Sequence, residues 1–291
     1  MSAENRRVAL PTGVELHVRT FDFTDPWKPA DTLLMLHGTA ENGEAYRQWI
    51  PALARDFRIV CPDLRGAGQS TLIPADSELE MDDLVRDTQA LMEVLGIGRY
   101  FVVGEKVGAL LGLRLAARDS GAIAGLAVAC GMIAPREVLG PWIPEWIRLI
   151  EQSGPRAWVD ATQAGRMGDE LAPAALAWWG ELMASSDRTS LIAYLRMLQR
   201  FALSHDELRA VRAPTLFLVP SGGGTTDATF EQRRPHSELF AWQQLVPRHE
   251  VATIESASYH LAATRPDACG AAARDFLVRI ARESAQWRNA S

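Results

Sequence analysis

The stretch Tyr100-Phe101-Val102-Val103-Gly104-Glu105-Lys106-Val107-Gly108, running on into Ala109 to Arg118, decides the fold. A short apolar run of strand-forming residues meets a glycine, and a second glycine opens an apolar helical run, which together read as strand, sharp turn and helix. Glycines two positions either side of Lys106 are what such a turn requires, because larger side chains would collide with the neighbouring strand and helix. The Lys106 side chain is then held above the sheet. The amide of Val107, at the helix N-terminus with the positive end of the dipole behind it, becomes an oxyanion donor.

Outward from this turn, short apolar runs alternate with amphipathic stretches of helical length, the pattern of a mostly parallel sheet covered by helices on both faces. The fold class is therefore α/β. Strands are expected at Val14 to Phe21, Thr32 to Leu36, Arg58 to Cys61, Gly125 to Ala129, Thr215 to Val219 and Glu250 to Ile254. Helices are expected at Tyr46 to Arg55, Met81 to Leu95 and Pro266 to Arg282. Alternation stops between about Pro135 and His205, and this helix-only region is read as a lid (residues 135–205) inserted into a core formed by 1–134 and 206–291. Five of the nine tryptophans, Trp142, Trp146, Trp158, Trp178 and Trp179, fall in it. They are either the lid's own core or the aromatic lining of a pocket, and Trp142, Trp146 and Trp178 are the candidates for contact with an apolar substrate.

Composition narrows the function classes. The chain has 291 residues, 47% of them hydrophobic, enough for a large core, and a net charge of -6 with no run of Lys and Arg, so it has no footprint for nucleic acid. No apolar run is long enough for a membrane helix and the N-terminal residues are polar, which gives an expectation of a cytoplasmic protein whose partner is a small molecule. A homo-oligomer is as compatible with this composition as a monomer. Cys61, Cys130 and Cys269 are widely spaced and odd in number, and read as buried thiols rather than a disulfide framework or metal cluster. No metal or organic cofactor motif is present. Among 30 Lys and Arg residues, only Lys28 and Lys106 are lysine.

Two further segments lie where strand ends meet loops, and such ends converge in open α/β sheets. His37-Gly38-Thr39-Ala40 follows the strand ending at Leu36, and its glycine lets the amide of Thr39 turn into the site as an oxyanion donor. His260, in Ser256-Ala257-Ser258-Tyr259-His260, follows the last strand and precedes the closing helix, from where it can reach the turn at Lys106.

With these segments in place, the chain resembles the α/β-hydrolase superfamily over about residues 10–282. Pro62-Asp63-Leu64-Arg65-Gly66-Ala67-Gly68-Gln69-Ser70 looks like that family's structural turn after the third strand, and it lacks the ending of a phosphate loop. The resemblance implies a Gly-X-Ser-X-Gly turn carrying a nucleophilic serine, where this chain has Lys106. It also implies a triad acid after the strand Thr215 to Val219, where this chain has Ser221-Gly222-Gly223-Gly224 and the nearest carboxylate is Asp227. Asp227 is either that acid or a solvated loop residue.

Lysine cannot replace serine in an acyl-enzyme mechanism, because its acyl product is an amide that hydrolyses too slowly. A neutral amine would be a base or a carbonyl nucleophile; an ammonium would be an electrostatic anchor or a plug. Three readings stay open. One is an enzyme acting on a small apolar or aromatic carbonyl compound, by hydrolysis or C–C cleavage, with Lys106, His260 and the Thr39 and Val107 amides. Another is a catalytically inactive binding or regulatory protein in which Lys106 pairs with Glu105, Asp227 or another carboxylate. The third keeps hydrolysis by Ser221 or an activated water.

Overall fold

Adjacent residues of the apolar strands face opposite layers, so a run without polar interruption becomes a strand covered on both sides. In the computed structural model, which describes residues 2–221 and 241–290, Leu34, Val102 and Leu126 pack into one apolar layer while Leu33, Phe101 and Ala127 pack into the other. Eight strands form one sheet: β1 (Ser2–Ala9), β2 (Glu15–Asp22), β3 (Asp31–Leu36), β4 (Phe57–Pro62), β5 (Tyr100–Glu105), β6 (Ile123–Ala129), β7 (Thr215–Pro220) and β8 (His249–Ile254). Their order is β1-β2-β4-β3-β5-β6-β7-β8, with β2 antiparallel to both its neighbours, β1 and β4, and every other pair parallel. The α/β class with a mostly parallel sheet holds.

Helix α1 (Ile50–Leu53) and the closing helix α10 (Pro266–Ala290) cover one face; α2 (Met81–Val94) and α3 (Val107–Arg118) cover the other. Between β6 and β7 the chain is helical, with α4 (Pro135–Val138), α5 (Ile143–Met167), α6 (Pro173–Ala184), α7 (Arg188–Arg200) and α8 (His205–Ala210) packed on the α3 side of the sheet. Helix α5 breaks direction at Gly154, whose φ is 83°, immediately before Pro155. The short α9 (Leu261–Thr264) follows His260.

Two local expectations change. The polar N-terminal residues form β1, an edge strand paired antiparallel with β2; an edge tolerates charged side chains that a central strand cannot. The helix expected over Tyr46 to Arg55 is instead a 3₁₀ turn at Gly43–Tyr46 followed by α1. Pro51 explains the break: it has no N–H to continue the earlier turn, but it suits the first turn of a new helix.

Candidate active site

The turn between β5 and α3 has the strained geometry its sequence implies. Lys106 has φ 51° and ψ -114°, a region that side-chain-bearing residues rarely adopt. A Cβ on Gly104 would strike the carbonyl of Gly108, and one on Gly108 would strike that of Leu36, so both positions need glycine. The Lys106 amide donates to Ala129 O at 3.1 Å and its carbonyl accepts from Leu110 N at 3.2 Å, which fixes the backbone between sheet and helix.

What the Lys106 side chain meets is Glu41, a residue the sequence reading did not single out. Its Nζ lies 2.8 Å from Glu41 Oε1 and 3.9 Å from Glu105 Oε1; the lysine side chain is 12% exposed while both glutamates are buried. The other Glu41 oxygen accepts the amide of Gly38 at 2.9 Å, so the loop after β3 closes around its own glutamate. His260 Nε2 stands 3.0 Å from the same Glu41 Oε1, though not aligned as a hydrogen bond, and 3.8 Å from Glu105 Oε1. Lys106, Glu41 and His260 thus converge on one carboxylate oxygen. Lys106 and His260 were expected to meet; the group between them was not.

Burial sets the charges. Burial alone would raise the Glu41 carboxyl, but the charge of Lys106, followed by His260, more than offsets it and holds Glu41 below the usual carboxylate range. The Glu105 carboxyl, buried and only partly compensated by Lys106 and further raised by Glu41, is pushed up to about 8. His260 is lowered to about 4, first by burial and then by the charge of Lys106. At neutral pH the cluster therefore holds a Glu41 anion paired to Lys106, a neutral His260 and a mostly protonated Glu105.

The histidine's approach is built by two serines. His260 N donates to Ser258 Oγ at 2.9 Å, Ser258 Oγ donates to the carbonyl of Arg166 on α5 at 2.9 Å, and Ser256 Oγ donates to Glu170 at 2.8 Å. Trp179 packs edge-on to the imidazole with ring centroids 4.7 Å apart. His260 Nδ1, the nitrogen a triad acid would hold, has no partner among the described residues, and Asp227 lies outside them. His37 is structural: Nδ1 donates to Gly38 O at 2.8 Å, Nε2 accepts Leu64 N at 2.9 Å, and burial keeps it neutral.

A cavity of about 70 Å³ opens over the turn, lined by Thr39, Lys106 and Val107 below and by α5 and α7 above. The amides of Thr39 and Val107 make no hydrogen bond to another described residue. Of the three candidate tryptophans only Trp146 lines the cavity, joined by Trp158. Trp142 sits half-buried at the start of α5, and Trp178 packs against Trp179 and under the Arg47 guanidinium, 5.2 Å from its ring centre. The helix period explains the exchange: Trp146 and Trp158 lie on the buried face of α5, whereas Trp178 and Trp179 are adjacent and cannot both point inward. Glu41, Glu105 and His260 hold ligand atoms within 4.8 Å of one another, a spacing that would suit a metal ion, but the Lys106 amine already neutralises the carboxylate such an ion would need. As arranged, the floor of the cavity presents one cationic donor, Lys106, and two backbone amides beneath a largely apolar wall.

Comparison with known proteins agrees with this architecture. A family model described as the alpha/beta hydrolase fold matches residues 31–245. A haloalkane dehalogenase from Mesorhizobium japonicum is 28% identical over 195 residues, a match spanning 67% of this chain and only about half, 56%, of that relative. Among solved structures, a thermophilic esterase from Thermogutta terrifontis superposes with a TM-score of 0.80 at 20% identity, covering 96% of this chain and 99% of that one. The enol-lactonase from Burkholderia xenovorans LB400 gives 0.79 at 22% identity, covering 94% and 100%. At these identities the structural likeness is one of fold. No helix among the described residues is long and apolar enough to cross a membrane.

Proposed function

Because this chain belongs to the alpha/beta hydrolase fold family, we propose that it is an enzyme acting on a small apolar or aromatic carbonyl compound, with Lys106 standing where the family carries its nucleophilic serine. The observation that carries this reading is the 2.8 Å contact between Lys106 Nζ and the buried Glu41 carboxylate at the cavity floor. An amine held by a buried anion is an ammonium, so of the chemistries open to lysine the pair favours the donor over the base or the imine. Lys106 and the amides of Thr39 and Val107 would then surround a carbonyl oxygen and stabilise the negative charge it gains. Glu41 is the positioning counter-ion, and His260, neutral beside it, is the proton acceptor. Asp227 remains the candidate to hold His260 Nδ1, and the helices over residues 135–205 act as the lid. Direct addition of water to an ester or lactone, and C–C cleavage through an enolate, both use such a donor without an acyl-enzyme. The activities of these relatives, dehalogenase, esterase and lactonase, put hydrolysis first.

A panel of esters, lactones and β-dicarbonyl compounds tests the idea on wild type, Lys106→Arg and Lys106→Met, with thermal melts checking the fold. Removal of the donor should cost about 100-fold or more in kcat, as for an oxyanion-hole donor, with partial recovery in the arginine variant. Borohydride should trap no substrate on the wild-type protein. Wild-type turnover by a folded Lys106→Met protein overturns the reading. The closed Lys106–Glu41 pair also favours a second one, a catalytically inactive binding protein, because it leaves the cavity floor without a free nucleophile. Tight binding with no turnover of any panel member would select it.

A further inference from the structure

A second cation lines the same cavity and has no counter-ion among the described residues. Arg166, on α5, is 6% exposed. Its Nε donates to Thr162 O of its own helix at 3.2 Å, its Nη1 reaches only the Met183 sulfur at 3.4 Å, and its guanidinium stacks on Trp158 with the charge centre 4.4 Å from the ring. Nη2 is buried with no acceptor, and no carboxylate among the described residues lies within ion-pair distance of the side chain. Glu41 contributes at longer range but is already neutralised by Lys106. Burial lowers Arg166 to about 10, which still leaves it charged at neutral pH. A buried guanidinium without an anion is costly, and the apolar side chains that line the cavity with it (Leu110, Met132, Leu139, Leu195) offer nothing to offset that cost.

We propose that Arg166 is an anion subsite that receives the carboxylate of a small organic acid, with the acid's apolar body against Trp146 and Trp158. Charge, flat geometry and lining agree on that class: a guanidinium takes a carboxylate through paired N–H groups, and Nη2 is the group free to do so. The cavity of about 70 Å³, roughly five water-sized positions, admits a compact acid rather than a nucleotide or a long chain. If the function proposed above holds, on which this part rests, the substrate is a carbonyl compound that also bears a carboxylate, anchored at Arg166 with its reacting carbonyl at Lys106.

The test reads binding rather than turnover, so that failure of catalysis and failure of the subsite are separable. Benzoate, phenylacetate and isovalerate are compared with their carboxamides by calorimetry and thermal shift on wild type, Arg166→Met and Lys106→Met. Wild type should bind at least one acid about 10-fold or more tighter than its amide, a difference of about 1.4 kcal/mol. Arg166→Met should lose that preference while melting no lower than wild type, since an unpaired buried charge has been replaced by an apolar chain of similar length. Lys106→Met should keep it. Equal binding of every acid and its amide by wild type overturns the subsite, as does a preference that survives in Arg166→Met or vanishes only in Lys106→Met.

Discussion

At the scale of single residues, the site is a problem of two carboxyl groups, an imidazole and an amine sharing a few ångströms, and Glu105 shows how it is solved. Its Oε1 accepts the Ala262 amide at a long 3.4 Å and its Oε2 has no partner among the described residues. Such a group is cheapest to bury as the neutral acid, hence its elevation to about 8 by burial, partly opposed by Lys106 and reinforced by Glu41. The sign of the linkage follows. A carboxyl whose folded pKa exceeds its unfolded one, about 4.3, contributes stability that is complete below that value and is lost as pH rises towards 8. Glu105→Gln removes the dependence while keeping the shape. The melting temperature of the variant relative to wild type should therefore climb between pH 5 and pH 8, and thermal melts across that range measure it. A constant difference would mean that Glu105 is ionised throughout. His260, lowered to about 4, runs the other way: its contribution is complete above about 6.5 and declines as pH falls to about 4, which the difference between variant and wild type cancels.

At the scale of elements, the loop carrying His260 is held by hydroxyls rather than by apolar packing alone. Ser258 Oγ accepts the His260 amide and donates to the Arg166 carbonyl, so one fully buried hydroxyl ties the end of the sheet to α5. Ser258→Ala leaves a buried N–H and a buried carbonyl unmet, and should cost about 1–3 kcal/mol in urea unfolding with no change in fold. A loss below 0.5 kcal/mol, roughly the spread of surface substitutions, would show that the tie carries no load. Elements also show what a sequence can reveal. The turn at Lys106 was legible because its determinants, Gly104 and Gly108, lie within four residues of each other and act on the backbone. The His37-Gly38 loop and His260 were legible for a related reason, as each follows directly on a strand. Glu41 was not, because its meaning arises only when the ends of β3, β5 and β8 converge. One local sign was present: it is the only charged side chain between Asp31 and Glu44. Over Tyr46 to Arg55 the apolar spacing points to one helix that Pro51 interrupts, and β1 carries no apolar signal because an edge strand need not be apolar.

At the scale of the molecule, the question is whether the helical insertion is a separate body or part of the core. Its apolar side chains answer first: Trp146, Trp158 and Leu195 share one continuous cluster with Leu110 of α3 and Leu126 of β6. Polar links lie around this cluster. Ile73 N donates to Ser190 Oγ at 3.0 Å, Tyr194 Oη to Arg65 O at 2.8 Å and Leu203 N to Ile133 O at 2.8 Å, while Arg265 pairs with Glu170 at 2.9 Å. These contacts join α7 and the segment just after α5 to the loops after β4 and β8, two separate parts of the core. An insertion anchored to both cannot unfold without exposing the core beneath it, so insertion and sheet should melt in one cooperative transition. Scanning calorimetry should give a calorimetric enthalpy equal to the van't Hoff enthalpy, and amides in α5 and α7 should exchange no faster than those of α3. An earlier transition with rapid exchange confined to 135–205 would instead make the insertion a domain of its own. Access to Lys106 would then depend on its opening as a body, whereas under the single transition it depends on local motion of side chains around the cavity.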